Sequence, residues 1–87
     1  DDRNRYFMTG VYFVKNGDGV NKDYSEAVKW FRKAAEKGNR SAQFNIGICY
    51  KNGYGVNKDI SEAVKWFRNA AEKGHEGAKK KLIELGY

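Results

Sequence analysis

The sequence predicts an all-α protein, an α-α superhelix or solenoid of about five helices packed as antiparallel pairs. Three observations lead there. The octapeptide SEAVKWFR stands at 25–32 and again, unchanged, at 61–68. Trp30 and Trp66, Gly17 and Gly53, and Gly38 and Gly74 are each 36 residues apart, a period of the size that marks helical repeats. Between the glycines, apolar residues recur at helical rather than alternating spacing.

The repeat divides the 87 residues into a unit at about 1–38, a second at about 39–74 and a closing helix at about 75–87, all within one domain. From Lys15 to Gly38 and from Lys51 to Gly74 the two copies differ at only three positions: Asp18/Tyr54, Tyr24/Ile60 and Lys33/Asn69. The first helix is the least regular part. It has Tyr6, Gly10-Val11 and Val14 where the second copy has Ala42, Ile46-Gly47 and Tyr50. Either it is shifted by one residue or it is an atypical end cap, as terminal repeats often are.

Each remaining element has its own signals. Asp23, with Glu26 three residues on, starts the second helix, and Gly38 ends it, because a residue after a helix often needs positive φ. Asn39 caps a helix from about Arg40 to Lys51, with Ala42, Ile46, Gly47 and Tyr50 on one face. Asn52-Gly53 stops that helix. Tyr54–Lys58 is then a loop, not a strand, with Val56 as its one apolar anchor. Asp59 and Glu62 form a capping box for a helix whose apolar face is Ala63, Phe67, Ala70 and Ala71, flanked by Val64 and Trp66. Gly74 ends it, and Glu76–Leu85 forms the last helix. Small residues (Ala42, Gly47, Ala63, Ala70) let the backbones approach, and Tyr50, Trp66 and Phe67 fill the space beside them. One helix pair cannot bury both of its faces, so copies must stack.

Composition excludes several classes. Apolar content of 40% with 15% aromatic residues argues against disorder. No apolar run is long enough to span a bilayer. The chain opens on Asp1 rather than Met, which fits a processed product or an excised piece and leaves open whether a targeting segment preceded it. Cys49 is the only cysteine, so no internal disulfide forms, and a lone thiol fits a reducing compartment slightly better than an oxidising one. The net charge of +6, from 17 Lys/Arg against 11 Asp/Glu, admits nucleic acid, anionic lipid or an acidic partner, or simply a lysine-rich solvated surface.

The sequence also lacks the parts of a catalyst or a cofactor site. His75, the only histidine, follows Gly74 at a helix start, where a capping or surface role is expected. A Cys49–His75 nucleophilic pair requires an accessible thiol, and Cys49 falls inside a helix. One Cys and one His cannot complete a tetrahedral zinc site without two carboxylates at ligand spacing. Gly17-x-Gly19 and Gly53-x-Gly55 follow no strand and precede no Gly-Lys-Ser/Thr, so they are not phosphate loops. Asn39-Arg40-Ser41 is a glycosylation sequon, but the cap role explains Asn39 better.

The pattern Ala42-x3-Ile46-Gly47-x2-Tyr50-x2-Gly53-x-Gly55-Val56-x2-Asp59-x3-Ala63-x2-Trp66-Phe67-x2-Ala70-Ala71-x2-Gly74 resembles the Sel1-like repeat (SLR) family, relatives of the tetratricopeptide repeats. The resemblance covers Ala42–Gly74 and, in the first copy, Lys15–Gly38. Ala78 and Leu82 continue it into the last helix. It implies a right-handed solenoid with the first helix of each pair, the A helix, lining a concave side. It implies an adaptor or scaffold for proteins, without catalysis. Ser-x-x-Lys and paired cysteines per repeat, features of cysteine-rich relatives that bind β-lactams, are absent.

By the same resemblance, outward A-helix positions would contact a peptide or protein. These are Arg5, Met8, Tyr12, Lys15 and Asn16 in the first copy, Ser41, Phe44, Ile48, Lys51 and Asn52 in the second, and Gly77, Lys80 and Glu84 in the last helix. The best candidates are Met8, Tyr12, Lys15, Phe44, Ile48, Lys51, Asn52 and Lys80, an apolar strip edged by cations that suits a peptide with apolar anchors and some acidic residues. The competing expectation is that Phe44 and Ile48 pack between adjacent A helices. The alternative partner class is nucleic acid or another polyanion, on the row Lys29, Lys33, Lys37. In the second copy Asn69 interrupts that row, and Glu26, Glu36, Glu62 and Glu72 dilute it. With two and a half repeats, Leu82, Ile83 and Leu85 are the residues with which the last helix closes the stack. Marginal monomer stability, membership of a longer array or self-association through an uncapped end are the expected consequences.

Overall fold

A computed structural model gives the architecture and describes residues 1–15 and 23–87, with the side chain of Lys15 outside that description. Five α-helices follow one another: α1 (Asp2–Lys15), α2 (Tyr24–Glu36), α3 (Arg40–Asn52), α4 (Ile60–Glu72) and α5 (Glu76–Glu84). No strand occurs among the described residues, and Gly53–Lys58 is a turn and loop. Each helix packs on the next in sequence, so α1/α2 and α3/α4 are the two pairs and α5 lies against α4.

The expected caps form. Asn39 accepts from the Ala42 amide at 2.8 Å, Asp59 from the Glu62 amide at 3.1 Å and Asp23 from the Glu26 amide at 3.0 Å. The capping box at Asp59 is only half made. The Asp59 N–H donates instead to the Tyr50 carbonyl at 2.9 Å, closing the loop onto α3, and Glu62 turns to Lys65 at 3.7 Å. Once the loop supplies an acceptor for that amide, Glu62 has no donor to reach back to.

The interior is continuous across the repeats. One cluster joins Ala27, Val28, Phe31, Ala34 and Ala35 of α2 to Ala42, Ile46 and Cys49 of α3. A second joins Ala63, Phe67 and Ala70 of α4 to Ala78 of α5. Tyr50 packs against both, and Trp66 of the second unit packs against the first cluster. Val56 anchors its loop there too, as its isolation among polar residues predicts. Trp30 and Trp66 are half-buried beside small residues, not in open solvent. The indole N–H of each is buried without a hydrogen-bond partner.

The register of α1 resolves to a one-residue shift. A Cβ on Gly10 would lie 2.6 Å from the Phe31 ring, and one on Gly47 would lie 2.5 Å from the Phe67 ring. Phe7 meets Phe31 at 5.9 Å and 41°, as Phe44 meets Phe67 at 5.7 Å and 47°. Arg3 reaches Gly38 as Arg40 reaches Gly74. Gly10, Phe7 and Arg3 therefore correspond to Gly47, Phe44 and Arg40, each 37 residues on, whereas α2 and α4 keep the 36-residue period. One extra residue lies between Gly10 and Gly17.

The closing helix departs from expectation at one position. Leu82 and Leu85 pack against the second cluster, but Ile83 is 75% exposed. Ile83 stands where the second copy has Gly47, the point at which a partner helix lays its Phe ring. No such helix faces α5 among the described residues, so this isoleucine points outward.

Candidate partner-binding face

Gly10 packs against α2, so residues two places to either side lie roughly opposite, at 100° per residue. Those residues are Met8 and Tyr12, which are 54% and 59% exposed. They stand on the side of the A layer turned away from α2. In the register shared by α1 and α3 their counterparts are Asn45 and Cys49, while Phe44 and Ile48 correspond to Phe7 and Val11.

The other candidates are distributed as follows. Phe44 is half-buried in the second cluster, between Phe67 and His75, whose ring it stacks on at 4.5 Å and 18°. Ile48 touches the same cluster and also forms one wall of a cavity. Lys51 is half-buried and Asn52 exposed at the end of α3, and Lys80 is exposed on α5. The Lys15 side chain and Asn16 lie outside the described residues.

The cavity has a volume of about 230 Å³. Val11 and Val14 of α1, Phe31 and Tyr24 of α2, Ile48 and Cys49 of α3, and Tyr54 of the loop give it apolar walls, with Asn45 as its one carboxamide. Reading the sequence missed Val11, Val14, Tyr24, Tyr54 and Asn45. The signal that could have found the first two was the 37-residue spacing of the glycines, Gly10 to Gly47. Tyr24 and Tyr54 stack at 4.7 Å and 24°, and they are two of the three sites at which the copies differ. Behind this stack Gly55, at φ 72°, brings the loop so close to α2 that a Cβ would lie 2.6 Å from the Tyr24 carbonyl. Only glycine satisfies both the positive φ and the approach.

The titratable groups near this face are structural. Burial pushes the Cys49 thiol up to about 11, which keeps it in the neutral thiol form at pH 7. His75 caps α5 by accepting from the Ala78 amide through Nδ1 at 3.1 Å. Partial burial holds its imidazole below the ordinary histidine value, and the Arg40 charge acts in the same direction. No His/Cys/Asp/Glu group suited to a metal occurs among the described residues. Two of the three lysines in the row along α2 are engaged: Lys29 pairs with Glu26 at 3.5 Å, and Lys33 lies over the Trp30 ring at 4.7 Å. No described helix is long and apolar enough to cross a membrane.

Stacked helix pairs sharing one interior, with apolar side chains exposed along one layer, define a helical repeat protein of the solenoid class. The Sel1 repeat profile matches residues 6–39 and 40–75, and the chain belongs to the Sel1 repeat family. Families of this type are generally protein–protein interaction modules. Among solved structures, the Sel1 repeat protein from Oxalobacter formigenes is similar at TM-score 0.88 and 42% identity, over 97% of this chain and 34% of that one. The protein c5321, a protective antigen present in uropathogenic Escherichia coli strains, is similar at TM-score 0.84 and 42% identity, over 92% of this chain and 17% of that one. Cysteine rich protein B of Helicobacter pylori is similar at TM-score 0.82 and 30% identity, over 92% and 59%. This chain thus spans less than two thirds of each of these relatives. No curated protein matches it.

Proposed function

We propose that the chain is a non-catalytic scaffold module that holds a peptide or protein segment along its A-helix face. The observation that carries this reading is that α1 exposes Met8 and Tyr12 and also contributes Val11 to an apolar cavity walled on its other side by Ile48. An apolar side chain of the partner enters that cavity, and the Asn45 carboxamide bonds to its main chain. Lys51, Asn52 and Lys80 on α3 and α5 favour acidic residues flanking the anchor. Phe44 contributes by fixing the Ile48 wall from within.

Selection of peptides from a displayed library, followed by binding to Tyr12→Glu and Ile48→Glu chains, tests the reading. Selected peptides should carry an apolar anchor, should bind both variants at least about tenfold more weakly, and should tolerate added salt. Equal binding by both variants contradicts the groove. Affinity that collapses with salt and is lost in Lys29→Gln, Lys37→Gln chains assigns the protein instead to polyanions.

A further inference from the structure

A second hollow, on the edge of the molecule, differs from the groove in its chemistry. It has a volume of about 310 Å³ and is lined by Arg3, Gly38, Asn39, Arg40, Ser41 and Lys73. Its three cations come from three elements: the start of α1, the start of α3 and the C-terminal cap of α4. No lining residue is acidic.

Two of the three cations meet over one bare spot. Lys73 Nζ and Arg3 Nη1 lie 3.6 and 3.7 Å from the point where Gly38 would carry a Cβ. Arg40 is held in place by donating from Nη1 to the Lys73 carbonyl at 2.8 Å. Asp1 accepts from Arg3 Nε at 3.1 Å and offsets one of the three charges. Arg40 and Lys73 make no ion pair among the described residues. Lys73 pairs with neither Glu36 nor Glu72 among the described residues, although both line the neighbouring hollow beside it. Capping of helix ends accounts for where Arg3 and Arg40 stand. It does not account for the Lys73 ammonium and the Arg3 guanidinium meeting over the same glycine. About Gly74, the corresponding glycine one repeat on, Arg40 is the only such neighbour among the described residues, so the cluster belongs to the junction of the two units.

We propose that this hollow binds a phosphate monoester dianion. Within the hollow Arg3, Arg40 and Lys73, offset by Asp1 and faced by Glu36 and Glu72 only from the adjoining hollow, present net positive charge to a group that carries about −1.5 to −2 at pH 7. Arg3 supplies a planar fork for two oxygens, Lys73 a point charge and Ser41 a hydroxyl. The ligand ties α1, α3 and the end of α4 together, so its binding raises the melting temperature of the whole chain.

Titration of the 87-residue chain with inorganic phosphate and with a phosphoserine peptide at constant ionic strength, followed by amide NMR, tests this. The expected result is saturable shifts centred on residues 38–41. Affinity should strengthen as pH rises through about 6, where the second proton leaves. Lys73→Gln and Arg3→Gln should each weaken binding about tenfold, while Lys65→Gln, outside the hollow, should leave it unchanged. Equal affinity for both probes supports a site for the free anion, and tighter peptide binding supports one for a phosphorylated protein. Unsaturable shifts spread over all lysines, or unchanged affinity in the folded Lys73→Gln chain, overturn the proposal.

Discussion

Gly10 and Gly47 sit where one methyl group would meet an aromatic ring, and this close approach sets how the two helices of each pair lie together. Alanine is the better helix former by about 1 kcal/mol, so an open site would gain from the change. At Gly47 the added Cβ would stand 2.5 Å from Phe67, a fully buried ring with nowhere to move. Gly47→Ala should therefore lower stability by about 1–3 kcal/mol in urea denaturation, the range for overpacking a core. An unchanged or higher midpoint contradicts the packing. His75 makes a second residue-scale prediction. Its folded pKa lies below the unfolded value, so the unfolded chain takes up the proton first and stability rises with pH through that window. The stability is fully present above the ordinary histidine value of about 6.5 and declines as pH falls toward the lower folded value. Protonation also removes the Nδ1 lone pair that holds the Ala78 amide. His75→Asn, which restores the residue type capping α3, should abolish that decline in melting temperatures measured from pH 7 to pH 5. A decline of the same size in the variant contradicts the cap.

Among the elements, α3 and α4 were legible from end to end, because cap, apolar face and glycine stop agree within each helix. The candidate face of α1 was not legible in the same way. A fixed 36-residue period projects Phe44 and Ile48 onto Met8 and Tyr12, whereas the Phe7–Phe31 contact and the Gly10 approach place Phe7 and Val11 there. A single inserted residue turns a helix face by 100°, which periodicity in a neighbouring repeat does not reveal. The differences between the copies also carried information that only coordinates could decode. Tyr24 and Tyr54 are stacked partners across the repeat boundary, and Lys33 lies over Trp30 and Tyr6. The variation thus falls on contacts peculiar to the first unit and to its junction with the second. The closing helix yields a clear element-scale test. Leu82→Asp should cost about 2 kcal/mol or more, because it removes packing from the second cluster. Ile83→Asp should change stability by no more than about 0.5 kcal/mol, as at other exposed positions. Equal losses in thermal melts contradict the assignment of the helix face.

For the whole molecule, the account rests on the two units sharing an interior instead of standing as independent hairpins. Arg32 of α2 donates to the Tyr50 hydroxyl of α3 at 2.7 Å, Val56 anchors its loop on the first cluster, and Trp66 packs against it. These links cross the boundary between the repeats. Small domains with one core unfold in a single step, whereas repeats with weak interfaces separate. Each unit carries its own reporter in Trp30 and Trp66. The most direct measurement is tryptophan fluorescence during urea unfolding of Trp30→Phe and Trp66→Phe chains, each compared with helical circular dichroism on the same sample. In each chain the fluorescence and helix-loss curves should share one midpoint and one slope. Fluorescence from either unit that changes before or after the bulk of the helix is lost contradicts a shared interior.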